Sequence, residues 1–560
     1  FTDAAEAGKR GWLITKYDAF SRPVLTGWVE VGSGFNNRTR KTLQDEHNSK
    51  TVLHESKAAS DNSINGVSYR YTNVAHPTAD YHILTVNYYD DYNYTGAPTT
   101  FGTVEGEAVY YNNTTPKPKG LPTGSWVRVL EGKTQSAREL SWMLYDKKGR
   151  VIRSRNENHL GGYTQTDSKL DFTGKALYTV TLHKRISNDT ELYVKDSYTY
   201  SDQDRLLTHT HQIGTSGTPQ LLAKNEYDEL GRLLVKRVGG TDVTGNSPMQ
   251  KVDYSYNIRG WLKEINKVDN LTQGSDPTDL FAFKINYDTP ANTVGSTIAP
   301  LYNGNISETL WKTNSDNQLR SYSYQYDELN RLQEAVYHKQ SIVQNSYDEK
   351  LSYDKNGNIK TLERNGDLDT QTYTIQIDDL SYTYSGNRLI KVADASNHPE
   401  GFTDGADTAQ EYGYDDYGNM IRDDNKGITA IRYNHLNLPV EITFEAGRRI
   451  MYIYNALGKK VKKIVFNGAP LYTSTTTEYL DGFHYEGSPT SNLKFFATAE
   501  GYVNVTKNKA GANVYSHVFN YTDHLGNIRL SYTLVPNLNQ TGFRNDILEE
   551  NHYYPFGLKH

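Results

Sequence analysis

The stretch Tyr227-Asp228-Glu229-Leu230-Gly231-Arg232-Leu233 is one copy of a short unit that decides the fold. The unit reads Tyr, then Asp or Asn, two variable residues, Gly or Asn, a polar residue, and Leu, Ile or Val. Copies recur roughly 20 to 30 residues apart, a period typical of a supersecondary unit repeated in series. Further copies begin at Tyr145, Tyr256, Tyr326, Tyr353, Tyr414, Tyr433 and Tyr454, and degenerate copies begin at Tyr17, Tyr200 and Tyr384.

Each position of the unit favours a tight turn between two strands. An Asp or Asn side chain at the turn entrance accepts hydrogen bonds from backbone N–H groups two residues on. The residue three places later needs a positive φ, which Gly adopts without steric cost and Asn tolerates next best. The unit therefore predicts a β-hairpin with a turn of three to five residues. The main turn residues are Asp228, Gly231, Gly260, Asn330, Asp354, Gly357, Asp415, Gly418 and Gly458, with Asn437, Ser21 and Asp204 replacing Gly in other copies.

The strand that enters each turn carries the pattern Tyr-x-Tyr, as at Tyr254 and Tyr256. A period of two places both rings on one face of the sheet. Stacked hairpins would align these rings into ladders, with about 0.5 to 1 kcal/mol gained per pair and the hydroxyls left in water. The repeat tyrosines are Tyr200, Tyr227, Tyr256, Tyr326, Tyr353, Tyr384, Tyr414, Tyr433 and Tyr454.

The number of hairpins predicts the architecture. About a dozen hairpins imply about 25 strands, and a twisted open sheet of more than about ten strands tends to curl, split or close. A ring of that size would be about 40 Å wide, too wide for side chains to fill. We therefore expect an all-β fold, a long antiparallel β-hairpin repeat array that curls into a hollow spiral or barrel-like shell. Its interior would hold water or another polypeptide.

Composition agrees with a folded chain and excludes several classes of protein. Hydrophobic residues make up only 36%, but aromatic residues reach 12%, including 45 Tyr, which argues against disorder. The 60 basic and 66 acidic residues are spread along the chain, without the basic patch of a nucleic-acid binder. There is no run of 18 apolar residues and no Cys, so we expect no membrane span, disulfide or Cys nucleophile. Because the sequence starts at Phe1, we expect a processed product or an excised piece.

Residues that could carry chemistry have simpler structural interpretations. His209 and His211 share one strand face, yet without a third ligand a cross-strand polar pair is favoured over a metal site. The stretch 354–358 resembles a calcium loop, but its Gly is misplaced for an EF-hand and a hairpin turn explains it. Acidic pairs that could suggest glycosidase carboxylates are better explained as solvated loops or turns. We therefore expect no catalytic residue, metal, cofactor or enzyme activity. The acidic pairs are Asp378-Asp379, Asp415-Asp416 and Asp423-Asp424.

The repeat unit resembles the YD repeat of Rhs proteins, which is shared with the C component of insecticidal toxin complexes and with teneurins. The stretch 523–529, Asp-His-Leu-Gly-Asn-Ile-Arg, followed by 554–557, Tyr-Pro-Phe-Gly, is similar to the start of the Rhs-associated core. The stretches 84–92 and 120–124 are similar to variants found in Bacteroidetes bacteria. The core signature comprises Asp523, His524, Gly526, Asn527, Arg529, Pro555 and Gly557.

The resemblance implies a function. It implies a secreted or cell-surface bacterial β-shell that encloses its own C-terminal polypeptide, often a toxin, and delivers it with the help of a protein-export machine. This chain would be a fragment or an export substrate lacking that cargo. Family members cut themselves at an Asp-Pro-x-x-Gly-Leu type motif, but here Tyr554 precedes Pro555, so no catalytic residue is carried over. The alternative function, suggested by the abundance of tyrosine, is a cell-surface adhesin or carbohydrate-binding repeat protein.

The chain is divided into four parts on this basis. Residues 1–110 form leading hairpins with a polar insertion from about Asn36 to Ala58, and residues 111–125 form a Pro/Gly connector. Residues 126–485 form the regular repeat shell. Residues 486–560 form the truncated start of the Rhs-associated core.

Overall fold

The computed structural model describes residues 10–31, 39–131, 137–291, 298–340, 342–369, 373–406, 408–488, 490–536 and 543–560. Strands make up 52% of the described residues and helices 2%, so the predicted all-β fold class is confirmed. Over the described ranges, no helix is both long enough and apolar enough to cross a membrane.

In these ranges strands follow one another along the chain, with one α-helix, α1 (Arg40–Asn48), and one 3₁₀ turn (Glu445–Gly447). The helix lies in the polar insertion and begins at Thr39, whose side chain accepts a hydrogen bond from the backbone N–H of Thr42. The strands are β1 (Arg10–Tyr17), β2 (Pro23–Val31), β3 (Lys57–Ile64), β4 (Val67–Tyr71), β5 (His82–Tyr89), β6 (Thr103–Val104), β7 (Glu107–Ala108), β8 (Pro122–Arg128), β9 (Arg138–Tyr145), β10 (Val151–Glu157), β11 (Tyr163–Leu170), β12 (Ala176–Lys184), β13 (Leu192–Tyr200), β14 (Leu206–Ile213), β15 (Gln220–Tyr227), β16 (Leu233–Val238), β17 (Gln250–Tyr256), β18 (Leu262–Ile265), β19 (Phe281–Asn286), β20 (Glu308–Thr313), β21 (Arg320–Tyr326), β22 (Leu332–Lys339), β23 (Ile342–Val343), β24 (Glu349–Tyr353), β25 (Ile359–Asn365), β26 (Gln376–Ser385), β27 (Arg388–Asp394), β28 (Tyr412–Tyr414), β29 (Met420–Asp423), β30 (Ile428–Tyr433), β31 (Pro439–Phe444), β32 (Arg449–Tyr454), β33 (Lys460–Phe466), β34 (Ser474–Leu480), β35 (Phe483–Gly487), β36 (Ser491–Thr498), β37 (Gly501–Lys507), β38 (Asn513–Thr522), β39 (Ile528–Pro536) and β40 (Phe543–Glu550).

The first of two compact units comprises Phe1–Tyr198, His211–Thr218 and Ile431–Leu493. Its first run of antiparallel strands has the order β1, β2, β5, β8, β9, β10, β11, β12 and β13, and a second run joins β31 to β35 in sequence. Val24, Leu25, Tyr81 and Ile83, from β2 and β5 and their surroundings, are almost fully buried and form the centre of its main hydrophobic cluster.

The second unit comprises Thr199–Thr210, Pro219–Ala430 and Lys494–His560. One run has the order β15 to β22 and then β24 to β27, and another joins β37, β38, β39 and β40. The largest core cluster lies here, where Phe281, Phe283 and Trp311 pack with Phe519 and Tyr532 from β38 and β39. In the described part of the chain, no pairing joins the two ends of a run, so these sheets are open.

The register of each hairpin is set by the repeat unit. Tyr326 pairs with Leu332 and Tyr353 with Ile359, so the first and last residues of one unit face each other across the hairpin. A register shift lies directly before the tyrosine in both cases, because one residue of the outgoing strand, Gln333 or Lys360, has no partner in the ladder. Every hairpin built on this unit therefore presents its Asp, Gly and polar residues at the same end of its strands.

Candidate functional site

The candidate functional site is the turn that each repeat presents, and Asp327 shows its geometry. One carboxylate oxygen of Asp327 accepts hydrogen bonds from the backbone N–H groups of Leu329 and Arg331, both at 2.9 Å. Asn330 lies between them with φ of 62°. The carboxylate thus satisfies two backbone donors that the turn leaves without strand partners.

The residue three places after the Asp or Asn has a positive φ in copy after copy. Gly and Asn adopt this conformation, and so do Ser21 and Asp204 in the degenerate copies, although such residues rarely do. The values are 86° at Gly231, 81° at Gly260, 89° at Gly357, 87° at Gly418, 84° at Gly458, 56° at Asn437, 61° at Ser21 and 65° at Asp204.

An arginine at the polar position of the unit joins its own turn to the next one. Arg331 donates from Nε to the second oxygen of Asp327 at 2.6 Å and from Nη1 to the backbone oxygen of Asp354, in the following turn, at 3.0 Å. Its guanidinium also lies 4.6 Å from the ring centroid of Tyr353, within range of a cation–π interaction. One side chain therefore connects two successive repeats through three contacts.

The same arrangement recurs in other repeats. Arg150, Arg205 and Arg232 donate from Nη1 to the backbone oxygen of the first residue of the following turn, and Arg205, Arg232 and Arg388 lie over the next repeat tyrosine. The bonds run from Arg150 to Asp171 at 2.8 Å, Arg205 to Asp228 at 3.2 Å and Arg232 to Asn257 at 3.3 Å, and the ring contacts join Arg205 to Tyr227, Arg232 to Tyr256 and Arg388 to Tyr414.

The repeat tyrosines connect the same turns in the opposite direction along the chain. The hydroxyl of Tyr353 donates to the backbone oxygen of Leu332, the last residue of the preceding unit, at 2.8 Å. These hydroxyls are therefore not left in water as the ring-ladder prediction had it, and an arginine covers the ring. The same bond joins Tyr227 to Leu206, Tyr326 to Ile306, Tyr384 to Ile359, Tyr414 to Leu389 and Tyr553 to Ile528, at 2.8 to 2.9 Å.

Hydrogen bonds and, in some copies, a neighbouring positive charge favour the ionised form of the Asp side chain in the turn. The backbone N–H and the guanidinium of Arg331 hold the pKa of Asp327 below its ordinary value. In the copies without arginine an amide replaces it, as where Asn358 donates to Asp354 at 2.8 Å. The side chain of Asn358 and the backbone N–H groups of the turn lower the pKa of Asp354 in the same way.

Replacing Tyr353 by Phe is expected to lower the free energy of unfolding by about 1 kcal/mol, because the hydroxyl bond to Leu332 is lost while the ring remains. Equilibrium urea unfolding measures this change. The matched control is Tyr417→Phe, since Tyr417 is 80% exposed. Its effect should stay within about 0.5 kcal/mol. Equal effects of the two substitutions would contradict the structural role of the bond.

The core signature forms a turn of the same kind with a buried charge. Asp523 accepts from the backbone N–H groups of Leu525 and Asn527, and Arg529 donates from Nε to its other oxygen at 2.8 Å. Burial alone would raise the pKa of Asp523, but the charge and hydrogen bond of Arg529 outweigh burial and hold it below its ordinary value. Gly526 supplies the positive φ, at 83°.

A further copy of the turn lies at 554–558, which sequence reasoning did not identify. The backbone N–H of Tyr554 bonds the oxygen of Leu558, and that of Gly557 bonds the oxygen of Tyr554, both at 2.8 Å. Asp327 makes the same two bonds with Arg331 and Asn330. Tyr554 therefore occupies the position of the Asp, Pro555 follows it, and the signal available in the sequence was Gly557 three residues later.

The other residues weighed for chemistry have structural surroundings. His209 and His211 are both buried, with 7% and 3% exposure. The Asp354 carboxylate is occupied by the hydrogen bonds of its own turn, and so is that of Asp415, which accepts from the backbone of Tyr417. The expectation of solvated loops or turns is wrong for Asp378 and Asp423. Asp378 lies in β26, is fully buried and is paired with Arg364, and Asp423 lies buried in β29.

The comparisons with known proteins give structural likeness only. No protein-family profile matches the chain, and no curated protein matches it. The crystal structure of TcdB2-TccC3 without hypervariable C-terminal region is 12% identical, with a TM-score of 0.41 over 98% of this chain and 30% of that chain. The structure of the Photorhabdus luminescens Tc holotoxin pore is 13% identical, with a TM-score of 0.39 and the same coverage. This chain thus spans about 30% of these two chains, and because the TM-scores lie below 0.5 any function rests on its own motifs and geometry.

Proposed function

We propose that this chain is the non-enzymatic β-wall of a bacterial Rhs/YD-repeat protein that encloses and delivers a C-terminal polypeptide, most simply a toxin. The wall is secreted or displayed at the cell surface, and it passes through a protein-export machine. Its partner is its own cargo polypeptide. The curling of the array around a hollow, which the enclosure requires, is part of the proposal.

The observation that carries the proposal is the paired contact between successive turns. Arg331 bonds forward to the next turn, and Tyr353 bonds back to the preceding unit, so neighbouring hairpins are fixed to each other at the same end of their strands. Repeated along the array, such contacts make a continuous wall whose stability comes from neighbours. A wall that draws part of its stability from contacts between neighbouring hairpins suits a container for another polypeptide.

The alternative, a carbohydrate-binding surface, is less well supported. Sugar binding by stacking needs exposed aromatic faces, whereas the repeat tyrosines are half-buried or, for Tyr454, buried. Several of their hydroxyls are bonded to backbone oxygens, and several of their rings lie beside arginines. Strongly exposed tyrosines include Tyr417 and Tyr472, at 80% and 81%. Specific hits on a glycan array would favour the alternative.

The test uses the native product and solution scattering. A solid globule of this length has a radius of gyration of about 24 Å, and a wall around a hollow should exceed it. Intact-mass analysis of the product from its natural producer identifies any polypeptide that follows His560. That polypeptide should resist limited proteolysis until urea opens the wall. A compact filled particle, or a C-terminal polypeptide digested as fast before urea as after it, would refute the proposal.

A further inference from the structure

A cavity of about 210 Å³ lies in the second unit beside the core signature. Its walls are largely aromatic and include Phe283, Tyr324 and Tyr553, and its rim includes Leu525. Arg529 and His524 line it as well. Pockets for drug-sized ligands are typically 300 Å³ or more, so this cavity matches a smaller group, such as one large side chain.

Arg529 brings an incompletely satisfied charge to this cavity. Its side chain is 8% exposed, and Nε is bonded to Asp523 at 2.8 Å. The guanidinium lies 5.3 Å from the ring centroid of Trp311, 5.7 Å from that of Phe283 and 5.2 Å from that of Tyr553. Within the described structure, its buried Nη1 has no hydrogen-bond partner. Buried donors of this kind are nearly always satisfied, so an acceptor is expected here.

His524 adds a second unsatisfied group to the same cavity. In the described part of the chain, its buried Nδ1 also has no hydrogen-bond partner, while its ring stacks on Phe283 at 5.4 Å. A neutral imidazole nitrogen can accept or donate one hydrogen bond, depending on the tautomer. A peptide group offers one C=O acceptor and one N–H donor, which complement Arg529 and His524 respectively.

Charge favours a neutral ligand over an anion. Asp523 already balances Arg529, and burial lowers the pKa of His524, so the imidazole is neutral near pH 7. A carboxylate entering the cavity would therefore add an uncompensated buried charge, which is costly. A carbonyl oxygen satisfies Arg529 Nη1 without that cost.

We propose that this cavity binds a peptide segment, with one large apolar or aromatic side chain seated between the aromatic walls and its main-chain carbonyl bonded to Arg529. The site goes beyond the proposed wall function, because it can be tested on this chain alone. Its failure would leave the enclosing role untouched, and failure of the enclosing role would leave the pocket intact.

The experiment titrates the chain with N-acetyl-phenylalanine amide and follows the bound probe by saturation-transfer NMR. A probe of this size should saturate with a Kd of about 1 mM. Arg529→Lys keeps a cation beside Asp523 but presents fewer donors, so binding should weaken at least about tenfold. Leu525→Ala removes part of the rim of the cavity and should weaken binding about threefold. Because the Leu525 side chain is 65% exposed, the substitution should not unfold the chain.

Matched controls keep the result interpretable. Leu230→Ala changes the same position of another turn, where Leu230 is 78% exposed, and should leave the Kd unchanged. N-acetyl-glycinamide lacks the side chain and phenylacetate carries a charge, so both should bind more weakly than the phenylalanine amide. Absence of saturable binding would overturn the proposal, as would equal effects of Leu525→Ala and Leu230→Ala. Tighter binding of phenylacetate would also overturn it.

Discussion

Replacing Arg364 by Met is expected to lower the free energy of unfolding of the second unit by about 3 to 5 kcal/mol. Arg364 donates from Nε to Glu349 at 2.8 Å and from Nη1 to Asp378 at 2.9 Å. Both carboxylates have 0% exposure. Met retains much of the length of the side chain but leaves two buried carboxylates without their shared cation. Equilibrium unfolding in urea, followed by tyrosine and tryptophan fluorescence, measures the loss.

The pH dependence of this loss gives a second readout. Burial raises the pKa of Glu349 even beside Arg364, so without the arginine the carboxyl should take up a proton more readily. Protonation removes the unpaired charge, and the cost of Arg364→Met should therefore shrink as the pH falls from 8 towards 5. The double variant Arg364→Met with Glu349→Gln should recover part of the lost stability at pH 8.

Arg422 supplies the matched control. It pairs with Asp424 at 3.0 Å, but the two side chains are 44% and 27% exposed, and such surface pairs contribute little. Arg422→Met should therefore change the stability by no more than about 0.5 kcal/mol. If Arg364→Met costs no more than Arg422→Met, the buried three-residue contact does not hold β24, β25 and β26 together.

The local structure of the repeat could be predicted from the sequence because its causes lie within seven residues. An Asp or Asn, and a residue able to adopt a positive φ three places on, define the turn, and the structure gives Asn330 and Asp204 that conformation along with the glycines. The turn at Tyr554 was missed because a tyrosine stands where the rule expects Asp. Its backbone hydrogen bonds are the same, so the side chain of the Asp assists the turn without being required for it.

The contacts between repeats could not be predicted in the same way. Arg331 and Tyr353 act on residues more than 20 positions away, and their role depends on which turns become neighbours. A signal was present, since arginine recurs at one position of the unit in Arg22, Arg150 and Arg232. Treated only as polar, that position predicts a ladder of stacked rings whose hydroxyls remain in water. In the structure, arginines and backbone carbonyl oxygens are the partners of several of these tyrosines.

The packing of the C-terminal strands against the array is even harder to predict from local sequence. Tyr521 donates from its hydroxyl to Gln250 at 2.8 Å, and Asn545 donates to the backbone oxygen of Met249 at 3.0 Å. These partners are separated by more than 270 residues, and no periodicity in the sequence relates them. Strands β38 to β40 thus pack with strands of the array within the second unit.

Replacing Trp311 by Ala is expected to cost about 3 to 5 kcal/mol, because it removes the largest fully buried side chain of this core. Trp311 has 0% exposure, donates from Nε1 to His552 at 3.0 Å and lies 5.6 Å from the ring of Tyr322. The cavity left behind would separate β20 from the C-terminal strands. Amide hydrogen exchange should therefore show lost protection in β39 and β40 as well as in β20 and its neighbours.

Two further variants identify the cause of the loss in Trp311→Ala. Trp311→Phe separates the effect of lost side-chain volume from that of the lost hydrogen bond, and Trp261→Ala tests whether removing any tryptophan has the same effect. Trp311→Phe restores most of the volume and removes only the hydrogen bond to Nδ1 of His552, so about 1 to 2 kcal/mol should be lost. Trp261 is half-buried beside a turn, 5.2 Å from Tyr287, and Trp261→Ala should cost about 1 to 2 kcal/mol with no effect on exchange in β39 and β40. If Trp311→Ala lowers the exchange protection of β20 while β39 and β40 keep theirs, the C-terminal strands are stabilised independently of the array. In that case the array and the C-terminal strands do not unfold as one unit, and the pocket beside Arg529 would lose the walls that Phe283 and Tyr324 contribute from the array.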